Sequence, residues 1–179
     1  MQLHDGHVWL SPSDLSAHLA CPYLTRLELE ATRKERDRPH GRDKLADLVA
    51  KKGDEHEVAF LAELEADGRE VVEIPFEEGR FDRAAARTEA AMRAGADVIY
   101  QATFARDGWR GRADFLIRVE EPSPNLGACS YEVWDTKLAR SAKPAAVLQL
   151  TFYSEEVARI QGRLPDRLHV VPGLSLIHI

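Results

Sequence analysis

Cysteine is scarce in this 179-residue chain: Cys21 and Cys129 stand far apart, and no C-x-x-C pair exists. A disulfide framework or a thiolate zinc site needs more cysteines at closer spacing, so neither is expected. Long apolar runs are missing too, none approaching the ~18–20 residues that span a bilayer. The N-terminus lacks the basic region and apolar core of a signal peptide, so a reduced, cytoplasmic protein is expected. Net positive charge is also lacking. With 24 Lys and Arg against 30 Asp and Glu, the net charge is -6. That excludes the uniform basic footprint of a protein that coats DNA regardless of sequence. What remains is 44% hydrophobic and 30% charged, the composition of one globular domain rather than a disordered chain.

Charge is nonetheless uneven. From Arg33 to Lys52 there are eight Lys or Arg against four Asp or Glu, which is either a strip for phosphate or a solvated helix face. Ser11 as N-cap, Pro12 at the first helical position and Asp14 three residues after the cap announce a helix. Cys21-Pro22 breaks it into two segments. A longer helix is expected from Asp43 to about Ala66, with Leu45, Leu48, Val49, Val58, Leu61 and Leu64 as its apolar contacts. "EVVEIPF" reads as a strand and "DRAAARTEAAMRAG" as a helix stopped by Gly95. Then "DVIYQATF", "WRGRADFLIRV" and "CSYEVWDTKLA" form a three-strand meander, its first turn marked by Asp107-Gly108. A helix in "AAVLQLTFYSEEVARIQG" and a strand in "RLHVVP" close the series. The order predicts an α/β sandwich: a mixed β-sheet flanked by helices, with an N-terminal helical segment over residues 1–42. The final "GLSLIHI" looks like translated adapter sequence, so the domain is expected to span 1–173, with 174–179 a non-native tail on an N-terminal fragment.

Strand alternation puts Val133, Asp135 and Lys137 on one face and Glu132, Trp134 and Thr136 on the other. On that reading the two charges stay out of the core. Asp114, in the preceding strand, would come beside Asp135 through antiparallel pairing. Paired carboxylates suit a hard divalent ion, Mg²⁺ or Mn²⁺, and a neighbouring lysine would orient an attacking water or stabilise charge on a phosphate. Taken alone, Asp-x-Lys reads first as an ordinary strand-end ion pair. Gly53, His56 and Glu57 lie upstream in the long helix, and Gln149 and Tyr153, four apart, share a helix face downstream.

Gly53 with Glu57, "GRADF", "WDTK" and "QLTFY", in that order, resemble the RecB-like branch of the PD-(D/E)XK superfamily. The likeness runs over most of residues 9 to 173. It implies a restriction-endonuclease-like core and an (exo)deoxyribonuclease using Mg²⁺ or Mn²⁺, with Asp114, Asp135 and Lys137 catalytic. Glu57 would join Asp114 and Asp135 as a metal ligand. Many RecB-like members carry a histidine at that place, so His56, one residue earlier, is the second choice. Gln149 and Tyr153 would line the nucleic-acid side, with Arg110, Arg112 and Arg140 as phosphate contacts. Trp109 is a candidate for base stacking, and Trp134 is expected in the core. The family also implies DNA repair or processing, and RNase H-like and helicase domains joined C-terminally. Some relatives hold an iron–sulfur cluster, for which Cys21 is the one suggestive ligand. Without a late cysteine group it reads better as a small buried residue at the helix break. The competing reading is a silent nuclease-like module that binds nucleic acid or docks partners.

Overall fold

Asp107 and Gly108 both have positive φ, 51° and 79°, the backbone of a two-residue hairpin turn matched to the twist of its strands. They join β4 (Val98–Arg106) to β5 (Trp109–Val119), and β6 (Ser130–Lys137) completes the expected meander. The computed structural model describes residues 1–39, 41, 43–77, 79–139 and 143–173. Outside the meander, β3 (Val71–Glu73) pairs parallel with β4, and β7 (Leu168–Pro172) pairs parallel with β6. The sheet order is β3-β4-β5-β6-β7, mixed as the sequence predicts.

Two helices make the crossovers. Helix α4 (Phe81–Ala94) links β3 to β4, and α5 (Pro144–Gln161) links β6 to β7. Their apolar residues, among them Met92, Leu150, Val157 and Ile160, join Ile99, Leu116, Tyr131 and Val133 in the larger core. Helix α3 (Lys44–Ala66) covers the other face, where Phe60, Leu61 and Leu64 meet Val98, Phe115, Ile117 and Trp134. Asp43 caps α3 by accepting from Leu45 N–H and Ala46 N–H at 2.9 and 3.3 Å. Leu45, Leu48, Val49 and Val58, expected as core contacts, are exposed. Helical spacing reports amphipathicity, but burial also needs a surface opposite, and the α3 core contacts come from its C-terminal half.

At the N-terminus, β1 (Gln2–His4) and β2 (His7–Trp9) form a hairpin about Asp5-Gly6 that the sequence reading does not contain. Leu10 then bonds to the β4–β5 turn, donating to Gly108 O and accepting from Arg110 N–H, both at 2.8 Å. Helix α1 (Pro12–Ala20) starts as expected: Asp14 accepts from the Ser11 N–H at 2.8 Å and from its hydroxyl at 2.7 Å. The break falls at Cys21, followed by α2 (Pro22–Thr32). Cys21 is exposed, not buried as expected, because extended backbone between two helices turns it outward (φ -159°).

One irregularity positions the site. Val98 and Tyr100 pack towards α3, yet Ala102 and Phe104 belong to the opposite core. Residues of one parity should share a face, so β4 changes sides at Gln101. There φ is +58°, left-handed for a non-glycine residue. In β5, Phe115 lies towards α3 and Ala113 in the opposite core, so the same reversal falls at Asp114. The pairs Tyr100↔Phe115 and Ala102↔Ala113 bracket both residues, which therefore stand opposite one another.

Candidate active site

A cleft of about 730 Å³ opens at the end of β6, between α3 and α5. Glu57, Asp114, Thr136, Lys137 and Gln149 line it. The β5–β6 ladder runs from Val119↔Ser130 to Phe115↔Trp134, so its next step puts Asp114 opposite Asp135. There the strands part. Thr136 donates its N–H and hydroxyl to Asp114 Oδ2 at 2.8 and 2.9 Å, so a side chain takes the place of a ladder carbonyl.

Asp135 is only 1% exposed, which corrects the expectation that both charges stay out of the core. Alternation fixes which way a side chain points, not how deeply its neighbours cover it. Lys137 Nζ donates to Asp135 Oδ1 at 2.8 Å and lies 2.7 Å from Oδ2, so the ammonium spans both carboxylate oxygens. Burial, and next the charge of Asp114, push the Asp135 carboxyl up to about 6, against the opposing pull of Lys137.

Glu57 reaches the site from α3 and accepts from Gln101 Nε2. Its carboxyl is raised by burial first and by Asp114 second. Tyr100 stands beside it, its hydroxyl pushed up to about 12 by burial and by a hydrogen bond to Glu57. Gln101 and Thr136 were not singled out from the sequence. Gln101 is the one strongly polar residue inside "VIYQATF", a signal that something breaks the strand there. Thr136, a β-branched residue in a strand, carries no signal.

The donors fit a hard divalent ion in type: they are carboxylate oxygens throughout, and Asp114 raises both its neighbours. Among the described residues, no three His, Cys, Asp or Glu side chains converge as a ready-made cage. Lys137, Thr136 and Gln101 hold the carboxylates in its stead.

The other expected residues divide. His56 turns from the cleft to β7, its Nε2 3.1 Å from Val171 O. Gln149 lines the cleft, whereas Tyr153 is 3% exposed and accepts from Gln149 Nε2 at 3.3 Å. Arg112 donates to the carbonyls of Gln101 and Ile74 at 3.4 and 3.1 Å. Arg110 packs over Phe81, 4.5 Å from the ring centre, and burial lowers its pKa. Trp109 leans on Phe152, and Trp134 stacks with His169 at 3.9 Å. In the basic strip, Arg36, Arg38, Lys51 and Lys52 pair with Glu30, Glu28 and Glu55, as on a solvated face. Arg140 and residues 174–179 lie outside the described residues. No helix among the described residues is long and apolar enough to cross a membrane.

Comparisons with protein-family models, curated proteins and solved structures find no match for this chain.

Proposed function

We propose that this chain is a metal-dependent nuclease domain of the RecB-like PD-(D/E)XK kind, with a restriction-endonuclease-like core, hydrolysing phosphodiester bonds of DNA. The carrying observation is the meeting of Asp114, Asp135 and Lys137 where the β5–β6 ladder stops, with Glu57 and Asp114 lining one cleft. In this reading Glu57, Asp114 and Asp135 hold Mg²⁺ or Mn²⁺. A bound ion supplies Lewis acidity to the phosphate and lowers the pKa of water. Asp135 loses its proton to take part, and Lys137, released from Asp135, orients the attacking water or stabilises charge on the phosphate. Gln149 flanks the strand, and Tyr153 holds Gln149. In a longer parent the domain would be joined to RNase H-like and helicase domains, in DNA repair or processing.

A second reading is favoured by the closed Lys137–Asp135 pair: a silent module of the same fold that binds nucleic acid or docks partner domains. Calorimetric titration with Mn²⁺ separates the two. The nuclease reading expects saturable binding that weakens in Asp114→Asn, and the silent module expects none in the folded chain.

A further inference from the structure

Beside the cleft lies a smaller recess of about 270 Å³, whose walls include Phe76, Phe81, Thr103, Arg110, Arg112 and Gln149. Ser13 and Gln149 line both recess and cleft, so the two spaces share a wall. We propose that this recess is a nucleotide subsite, in which Arg110 and Arg112 hold one phosphate and Phe76 stacks one unpaired base. The proposal rests on the nuclease reading and names its substrate class, a single strand.

Charge is the first support. Arg106, Arg118 and Arg163 each have a carboxylate within 4.0 Å. Arg110 and Arg112 have none among the described residues, although they sit in a concave site. Arg110 Nε is buried and bonds to nothing there. Asp14, whose charge reaches Arg110, is already bound to Ser11 and to the Met1 amino group. Two half-buried guanidinium groups with no carboxylate within ion-pair distance among the described residues call for an anion, and the donors of Arg110 together with those Arg112 does not spend on Gln101 and Ile74 suit phosphate oxygens.

Geometry is the second support. Arg110 lies over Phe81 and Arg112 over Phe76, at 4.5 and 5.5 Å from the ring centres, so both guanidinium groups are held before a ligand arrives. The two backbone bonds of Arg112 fix it further. Phe76 remains 59% exposed at the rim, an aromatic surface open to a base. A base inside a duplex is paired and stacked on both sides, and drawing it into such a recess costs unstacking energy. A single strand avoids that cost.

The test is fluorescence anisotropy of the full chain in EDTA, with a labelled deoxythymidylate dodecamer and a blunt duplex of equal length. Single-strand binding should be at least tenfold tighter, and Phe76→Ala and Arg110→Gln should each weaken it about tenfold. Phe76 is exposed, so its variant decides the matter if Arg110→Gln unfolds. Equal affinity for the two probes, or unchanged single-strand binding in folded Phe76→Ala, overturns the subsite. Cleavage is read separately: metal-dependent cutting with unaltered Phe76→Ala binding sinks the subsite alone. Strand binding lost in Phe76→Ala with no cutting by the parent chain sinks the nuclease reading alone.

Discussion

Lys137 Nζ sits 2.8 Å from Oδ1 of Asp135, a buried carboxyl raised to about 6. The lysine only partly offsets burial and the charge of Asp114, so the ionised acid destabilises the fold. A carboxyl raised on folding contributes stability that is whole below its unfolded value near 3.8 and is lost as pH rises through about 6.

Asp135→Asn removes that loss. At pH 7.5 it should stabilise the chain by roughly 2 kcal/mol, about 5 °C in Tm, and the gain should vanish near pH 3.5. Lys137 is 34% exposed and finds water when its partner goes. Thermal melts of both proteins at the two pH values check this; a variant less stable at pH 7.5 contradicts it.

Metal binding follows the same titration. Protons compete with the ion for Asp135, so Mn²⁺ affinity should fall as pH drops below about 6 and level off above it. Isothermal titration from pH 5 to 8 gives the profile, and a flat one would remove Asp135 from the ligand set.

Gln101 combines left-handed backbone with a bond to Glu57. Gly accepts φ +58° freely, whereas Ala keeps the strain and loses the bond. Gln101→Gly should therefore be more stable than Gln101→Ala by about 1 kcal/mol in urea unfolding. Both should bind Mn²⁺ more weakly than the parent, since Glu57 loses its donor. Equal stability of the two variants argues against the side exchange at this residue.

Gly111 lets β5 approach α5: a Cβ there would stand 2.5 Å from a ring carbon of Tyr153. Gly111→Ala should cost about 1–3 kcal/mol as Tyr153 is displaced, and the shift should carry Gln149 with it. Chemical denaturation gives the cost, and an unchanged midpoint would contradict the close approach.

Much of this site was legible because it rests on local rules. The Asp107-Gly108 turn, the meander and the juxtaposition of Asp114 with Asp135 follow from turn chemistry and antiparallel pairing. The capping of α1 by Ser11 and Asp14 is equally local. Reversal of faces at Gln101 and Asp114 is not, since glutamine has no special taste for left-handed backbone. Depth was hidden for a similar reason: parity gave Asp135 its face, but α5 and the strand ends decide its burial. Asp5-Gly6 is a turn signal, but its flanking strands are only three residues long, too short for alternation to show.

Cleavage of labelled single- and double-stranded DNA and RNA by the folded chain, with Mg²⁺, Mn²⁺ or EDTA, tests the central claim most directly. The account predicts cutting of DNA that requires the metal, is abolished in Asp135→Asn, and falls about 10²–10⁴-fold in Lys137→Ala. No cutting of any substrate with either metal, or undiminished cutting by folded Asp135→Asn, would contradict it.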